Sequence, residues 1–137
     1  ITNLANGANS VVAADIDSDG DIDILSASAN DDKIALYKNL GGGIFGTQIV
    51  ISTLANGANE IDLADIDGDG DLDVVSVSGL DDKVAWYRNL GGGNFSGQII
   101  ISNVASGAFS VKSADFDSDG DEDLVVLLYD DQEIVSY

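Results

Sequence analysis

Residues 15–23 read DIDSDGDID, residues 65–73 read DIDGDGDLD and residues 115–123 read DFDSDGDED. One nine-residue frame, DxDxDGDxD, therefore stands three times at a spacing of fifty. Working outward from it, LANGAN begins at Leu4 and again at Leu54, NLGGG at Asn39 and again at Asn89, and tyrosines stand at Tyr37, Tyr87 and Tyr137. The period divides a single repeat domain, 1–137, into copies 1–50 and 51–100 and a shortened copy 101–137. Self-similarity at a period of this size marks a repeat architecture, in which one supersecondary unit is stacked on the next.

Within a copy, apolar residues alternate with polar ones or form short runs rich in Val and Ile, and Gly, Asn and Asp punctuate them. That pattern predicts strands and turns, with no helix. In the second copy it predicts strands over 60–65, 72–78, 83–89 and 98–104. The second of these has apolar residues on both faces, Val75 and Val77 on one side and Leu72 and Val74 on the other, so both sides of the sheet must be covered. The expected fold is all-β, with about three four-stranded antiparallel blades of the β-propeller type and the Asp loop between the first and second strand of each.

The charge is as uneven as the pattern. Asp plus Glu number 25 against 5 Lys plus Arg, a net charge of -20, and fifteen of the acids are the loop aspartates. Such a polyanion repels nucleic acid and anionic membrane surfaces, which leaves cations as the natural partners. With no Cys and no His, disulfides, thiolate or imidazole metal sites and His-based catalysis are excluded. No stretch has the length of a membrane span or the form of a signal peptide. The sequence opens on Ile1 rather than Met, which reads as a processed product or a segment of something longer.

In the loop, alternate side chains can turn inward around a hard cation. The candidate ligands are Asp15, Asp17, Asp19, Asp21 and Asp23 in the first copy. Their counterparts are Asp65, Asp67, Asp69, Asp71 and Asp73, then Asp115, Asp117, Asp119, Asp121 and Asp123. Positions one, three, five and nine offer carboxylates, Gly at six permits the bend, and position seven offers its carbonyl oxygen. Ca²⁺ takes six to eight oxygens, whereas Mg²⁺ gives up its water reluctantly, so the donor count predicts three Ca²⁺ per chain. A helix-flanked calcium loop would carry Glu at position twelve, where Ser26, Ser76 and Val126 stand here. The alternative, a merely solvated acidic turn, explains one such loop better than three in identical frame.

The stretches ADIDSDGDIDIL, ADIDGDGDLDVV and ADFDSDGDEDLV, followed by KIALYKNLGGGIFG and KVAWYRNLGGGNFSG, resemble FG-GAP repeats of the VCBS type, the blades also found in integrin α-subunit heads. The resemblance covers essentially the whole chain, and its Gly-Phe portion is the weaker part. It implies a Ca²⁺ that rigidifies the loop, an extracellular or cell-surface location and a binding, adhesive or scaffolding role without catalysis. The pairs Asp31-Asp32, Asp81-Asp82 and Asp130-Asp131 look superficially like acid/base dyads, but their recurrence marks them as turn residues. Trp86 reads as core before it reads as a sugar platform, and the three tyrosines as packing. Asn94-Phe95-Ser96 is a glycosylation sequon in an exposed turn.

Two functional classes follow. One is a calcium-stabilised structural or adhesive module; its partner is a copy of itself, because residues 1–5 match 51–55 and 101–105 and could complete a neighbour's last blade head to tail, forming a ring or a filament. Surface proteins or glycans are further candidate partners. The other class is a set of blades within a larger carbohydrate-binding or polysaccharide-processing protein.

Overall fold

The computed structural model describes residues 1–137. Its first sheet contains β1 (Ala8–Ala14), β2 (Asp23–Ser28), β3 (Lys33–Tyr37) and β4 (Ile49–Ser52). The second contains β5 (Ala58–Ala64), β6 (Asp73–Ser78), β7 (Lys83–Tyr87) and β8 (Ile99–Ser102). The third contains β9 (Ala108–Ala114), β10 (Asp123–Leu128) and β11 (Glu133–Ser136). Each sheet is an antiparallel meander in chain order, and no helix is present. These are propeller-type blades, with the Asp loop joining the first two strands of each. Residues 1–5 lie outside the strands.

Stacking follows from the two-sided strand β6, all of whose residues are buried. Val74 packs with Leu25, Ala27, Ile34 and Leu36 of the first blade. Val75 and Val77 point the other way, into a second core with Ala108, Val111, Leu124 and Val126 of the third. Each such side chain contributes about 1.5–3 kcal/mol when fully buried, so the two seams between blades, rather than the interior of any one sheet, supply the apolar stabilisation. Tyr37 and Tyr87 are buried as expected, each phenol oxygen accepting a hydrogen bond from a glutamine, Gln48 at 2.7 Å and Gln98 at 2.9 Å.

The first strand of the second blade begins at Ala58, two residues before the alternation suggests, because the first strand of each blade carries a bulge. Pairing jumps from Ala8 to Ser10 and from Ala58 to Glu60, leaving Asn9 and Asn59 as the extra residues. A bulge re-aims its side chain. Asn9 Nδ2 donates to Ala58 O at 3.3 Å and Asn59 Nδ2 to Ala108 O at 2.8 Å, each crossing to the next blade.

The paired turn aspartates divide their work. Asp31 and Asp81 stay within their own blade, pairing with Lys33 at 2.8 Å and Lys83 at 2.7 Å. Asp32 and Asp82 occupy left-handed backbone (φ 58 and 56) and accept the N–H of Gly57 and Gly107, each at 3.0 Å, from the following blade. The third copy corrects the expected register: Asp131, not Asp130, aligns with Asp31 and Asp81, and Gln132 (φ 55) holds the position of Asp32 and Asp82.

Between the second and third blades, Glu60 Oε2 accepts the Val111 N–H at 2.8 Å and Asp62 Oδ2 that of Ser113 at 3.1 Å. Lys112 Nζ lies 3.0 Å from Glu60 Oε1. Burial alone would raise the Glu60 carboxyl; hydrogen bonds from Ser110, Lys112 and Val111 outweigh it and hold the group below its ordinary 4.5. A depressed carboxyl contributes stability that is present above the unfolded value and lost as pH falls through the folded one. Stability measured in chelator should therefore decline below about pH 4.5, and Glu60→Gln should flatten that decline. An unchanged acid limb in the variant would contradict this role.

Candidate metal centres

Each loop is wound around its first aspartate. Asp15 accepts the N–H of Asp19 at 3.1 Å on one oxygen and that of Gly20 at 3.0 Å on the other, and Asp65 and Asp115 repeat both bonds. The fifth-position aspartates then accept the N–H of the seventh, at 2.9 Å for Asp19 and 3.0 Å for Asp69 and Asp119. Gly20, Gly70 and Gly120 take φ of 93, 93 and 100, and position four is left-handed as well, at Ser18 (φ 62), Gly68 (φ 71) and Ser118 (φ 64). That second left-handed residue was not foreseen, although Ser and Gly are the only residues placed there.

Carboxylate oxygens of Asp15, Asp17 and Asp19 lie within 4.8 Å of one another, as do those of Asp65, Asp67 and Asp73, and of Asp115, Asp117 and Asp123. The donor set is all oxygen. One oxygen, Asp17 Oδ1, is buried without any hydrogen-bond partner, the condition of an atom placed for a cation. These residues fit a hard metal ion. The carboxylates of Asp21, Asp71 and Asp121 fall outside the clusters, as do those of Asp23 in the first loop, Asp69 in the second and Asp119 in the third.

Asp23 and Asp73 are fully buried, and both oxygens of each are engaged by backbone. Asp23 accepts from Ile16 N at 3.3 Å and Asn39 N at 2.7 Å, and Asp73 from Ile66 N at 3.2 Å and Asn89 N at 2.7 Å. Burial pushes the Asp73 carboxyl up, against the pull of the Asn89 N–H. The ninth position thus ties the loop to the turn after the third strand, whatever ion it also serves.

Two basic residues complete the electrostatics. Lys38 Nζ is 2.9 Å from Asp17, and Arg88 lies 2.7 Å from Asp67 through Nε and 3.0 Å from Asp69 through Nη2. The Asp71 N–H, then Arg88, hold the Asp69 carboxyl below its usual range, and Asp69 and Asp67 in turn raise the Arg88 guanidinium. The third loop is the most exposed of the three. A base recurring at the fifty-residue spacing directly after the tyrosine was the available signal in the sequence.

The loops are also joined across blades. Asn89, fully buried, donates through Nδ2 to Leu72 O at 3.2 Å in its own blade and to Ile16 O at 3.0 Å in the first blade's loop, while its Oδ1 accepts from Gly91 N at 3.0 Å. Lys38 reaches the opposite way, donating to Gly92 O at 2.7 Å. The NLGGG turn of one blade therefore clamps the Asp loop of the blade before it.

The family model for FG-GAP-like repeats matches residues 15–76 and again 65–126, each match opening at the first aspartate of a loop. The chain belongs to the FG-GAP-like repeat family. The two FG-GAP matches together span residues 15–126, from the first Asp loop into β10. No curated protein matches the chain. Among solved structures, an Agrocybe aegerita lectin described for its specific recognition of non-reducing terminal N-acetylglucosamine is similar, with a TM-score of 0.63 and 24% identity. The likeness covers 87% of this chain and 33% of the lectin, so the FG-GAP chain spans about a third of that protein's length, and what it shows is a common fold.

Trp86, in β7, is half-buried with its indole N–H unpartnered, and Asn94 lies exposed in its turn with its amide bonded to Gly91 O at 2.9 Å.

Proposed function

We propose that this chain is a calcium-stabilised structural and adhesive module of the extracellular space or cell surface, acting by binding rather than catalysis. The observation that carries the reading is the threefold all-oxygen carboxylate cluster, wound by its own backbone and clamped by the next blade. Asp15, Asp17 and Asp19 in the first loop, Asp65, Asp67 and Asp73 in the second and Asp115, Asp117 and Asp123 in the third would hold the ion. Bound Ca²⁺ would supply the positive charge that lets these carboxylates lie together, and the preference over Mg²⁺ rests on the number of carboxylates. Calcium-rich surroundings suit such loops.

Calorimetric titration should find three Ca²⁺ per chain, falling to two in Asp65→Asn, with Mg²⁺ bound much more weakly. Absence of Ca²⁺ binding at millimolar concentration would sink the proposal.

Partners follow from the faces. Val11 on the outward side of the first blade and Ile134 on that of the third are exposed, yet they occupy the positions of residues that join blades within the chain, Ile61 and Val111 for the former, Ile34 and Val84 for the latter. We infer that these faces take another blade, most simply from a second copy stacked head to tail, with residues 1–5 adding to its sheet. Solution mass with and without Ca²⁺ tests this.

A second reading, blades of a larger carbohydrate-binding protein, is supported by the likeness of this chain to a third of the lectin's length.

A further inference from the structure

We propose that the corner formed by Phe109 and Tyr129, with Leu80, Asn59 and Asp130 at its rim, binds one neutral pyranose ring. This gives the carbohydrate reading a definite site and is independent of the metal loops.

The corner belongs to one blade only. The bulge position that holds Asn9 and Asn59 in the first two blades holds Phe109 in the third, where pairing jumps between Leu127 and Leu128. Phe109 cannot make the cross-blade amide bond of its counterparts. Likewise Tyr129 replaces Ala29 and Gly79, and Asp130 replaces Asn30 and Leu80. Two rings thus stand where the other blades have an amide and a small residue, and a carboxylate lies beside them at a position that differs in every copy.

The rings stand with centroids 6.1 Å apart at 43°, and they are 55% and 70% exposed in this chain. They line a cavity of about 390 Å³ with Leu80, Asn59 and Asp130. The Asp130 carboxylate lies over Gly107, whose missing side chain leaves it room. An aromatic wall beside a free carboxylate and a carboxamide suits a ligand with one apolar face and a fringe of hydroxyls, which is the chemistry of a pyranose. The carboxylate accepts hydroxyl protons, and together with the chain's negative charge it repels anionic sugars.

The test uses the 137-residue chain in calcium chloride, with backbone amide NMR shifts followed during titration with methyl glycosides of glucose, galactose and N-acetylglucosamine, and with glucuronate as the anionic control. At least one neutral glycoside should give saturable shifts at Leu80, Gly107, Phe109 and Asp130. Half-saturation should be about millimolar, as befits a ligand of this size. Tyr129→Ala should weaken binding about tenfold or more and Tyr129→Phe less than about threefold, because the ring face does the stacking. Phe109→Asn, which restores the residue of the other blades, should also abolish the shifts while leaving the melting temperature in place.

Saturable shifts confined to another part of the chain would overturn this site and leave the carbohydrate reading standing. No shift with any neutral glycoside up to about 50 mM, well beyond millimolar affinity, would remove both. Neither outcome touches calcium binding, which the calorimetric titration reports separately.

Discussion

Chelating calcium from the folded chain is expected to lower its melting temperature by about 30 °C or more. A ligand that binds only the folded state adds about 4 kcal/mol per site when its concentration is a thousand times Kd, and three sites add about 12 kcal/mol. In a domain of this size each kcal/mol moves the midpoint by several degrees. Without the ion, five aspartates crowd each nine-residue loop; Lys38 and Arg88 offset part of that repulsion in the first two loops. Melting curves that coincide in excess calcium and in excess chelator would refute the dependence.

The second large effect is expected from one buried asparagine. Asn89→Ala removes the partners of Ile16 O, Leu72 O and Gly91 N at a site with no access to water. An orphaned buried polar group costs about 1–3 kcal/mol, so a loss of about 3–5 kcal/mol is expected from chemical denaturation. Asn39→Ala is the internal comparison. Asn39 makes the equivalent bonds within its blade, to Ile22 O at 3.1 Å and from Gly41 N at 3.1 Å, but has no earlier loop to clamp and is less buried. It should cost about half as much. Equal losses in the two variants would show that the bond to Ile16 O contributes nothing across the seam.

What could be read from the residues in advance was whatever repeats or alternates. The fifty-residue period placed the loops and the blades, and the two apolar faces of 74–77 required sheets on both sides, as Val74 and Val75 show by packing into different cores. The start of β5 lies two residues before the expected one because the bulge at Asn59 interrupts the alternation that marks a strand. The turn register in the third copy was misjudged because Asp130-Asp131 imitates the earlier pairs one position early. The clamp from Asn89 to Ile16 spans 73 residues and leaves no local trace. Phe109 and Tyr129 drew no notice, since an aromatic in a strand or turn is unremarkable until its exposure is known.

The bonds between neighbouring first strands connect residues about one period apart, 49 from Asn59 to Ala108, 51 from Val111 to Glu60 and 50 from Ser113 to Leu63, and the other seam bonds pair positions that recur in every copy. Any window one period long therefore contains one donor half and one acceptor half of a seam, wherever the window is cut. An in-frame duplication or deletion of that length in the gene would join matching halves at the new junction without needing a particular breakpoint. Chains of different blade number are then neighbours in sequence space, separated by a single recombination event, and the asparagines and aspartates that bridge the seams are what make such events survivable.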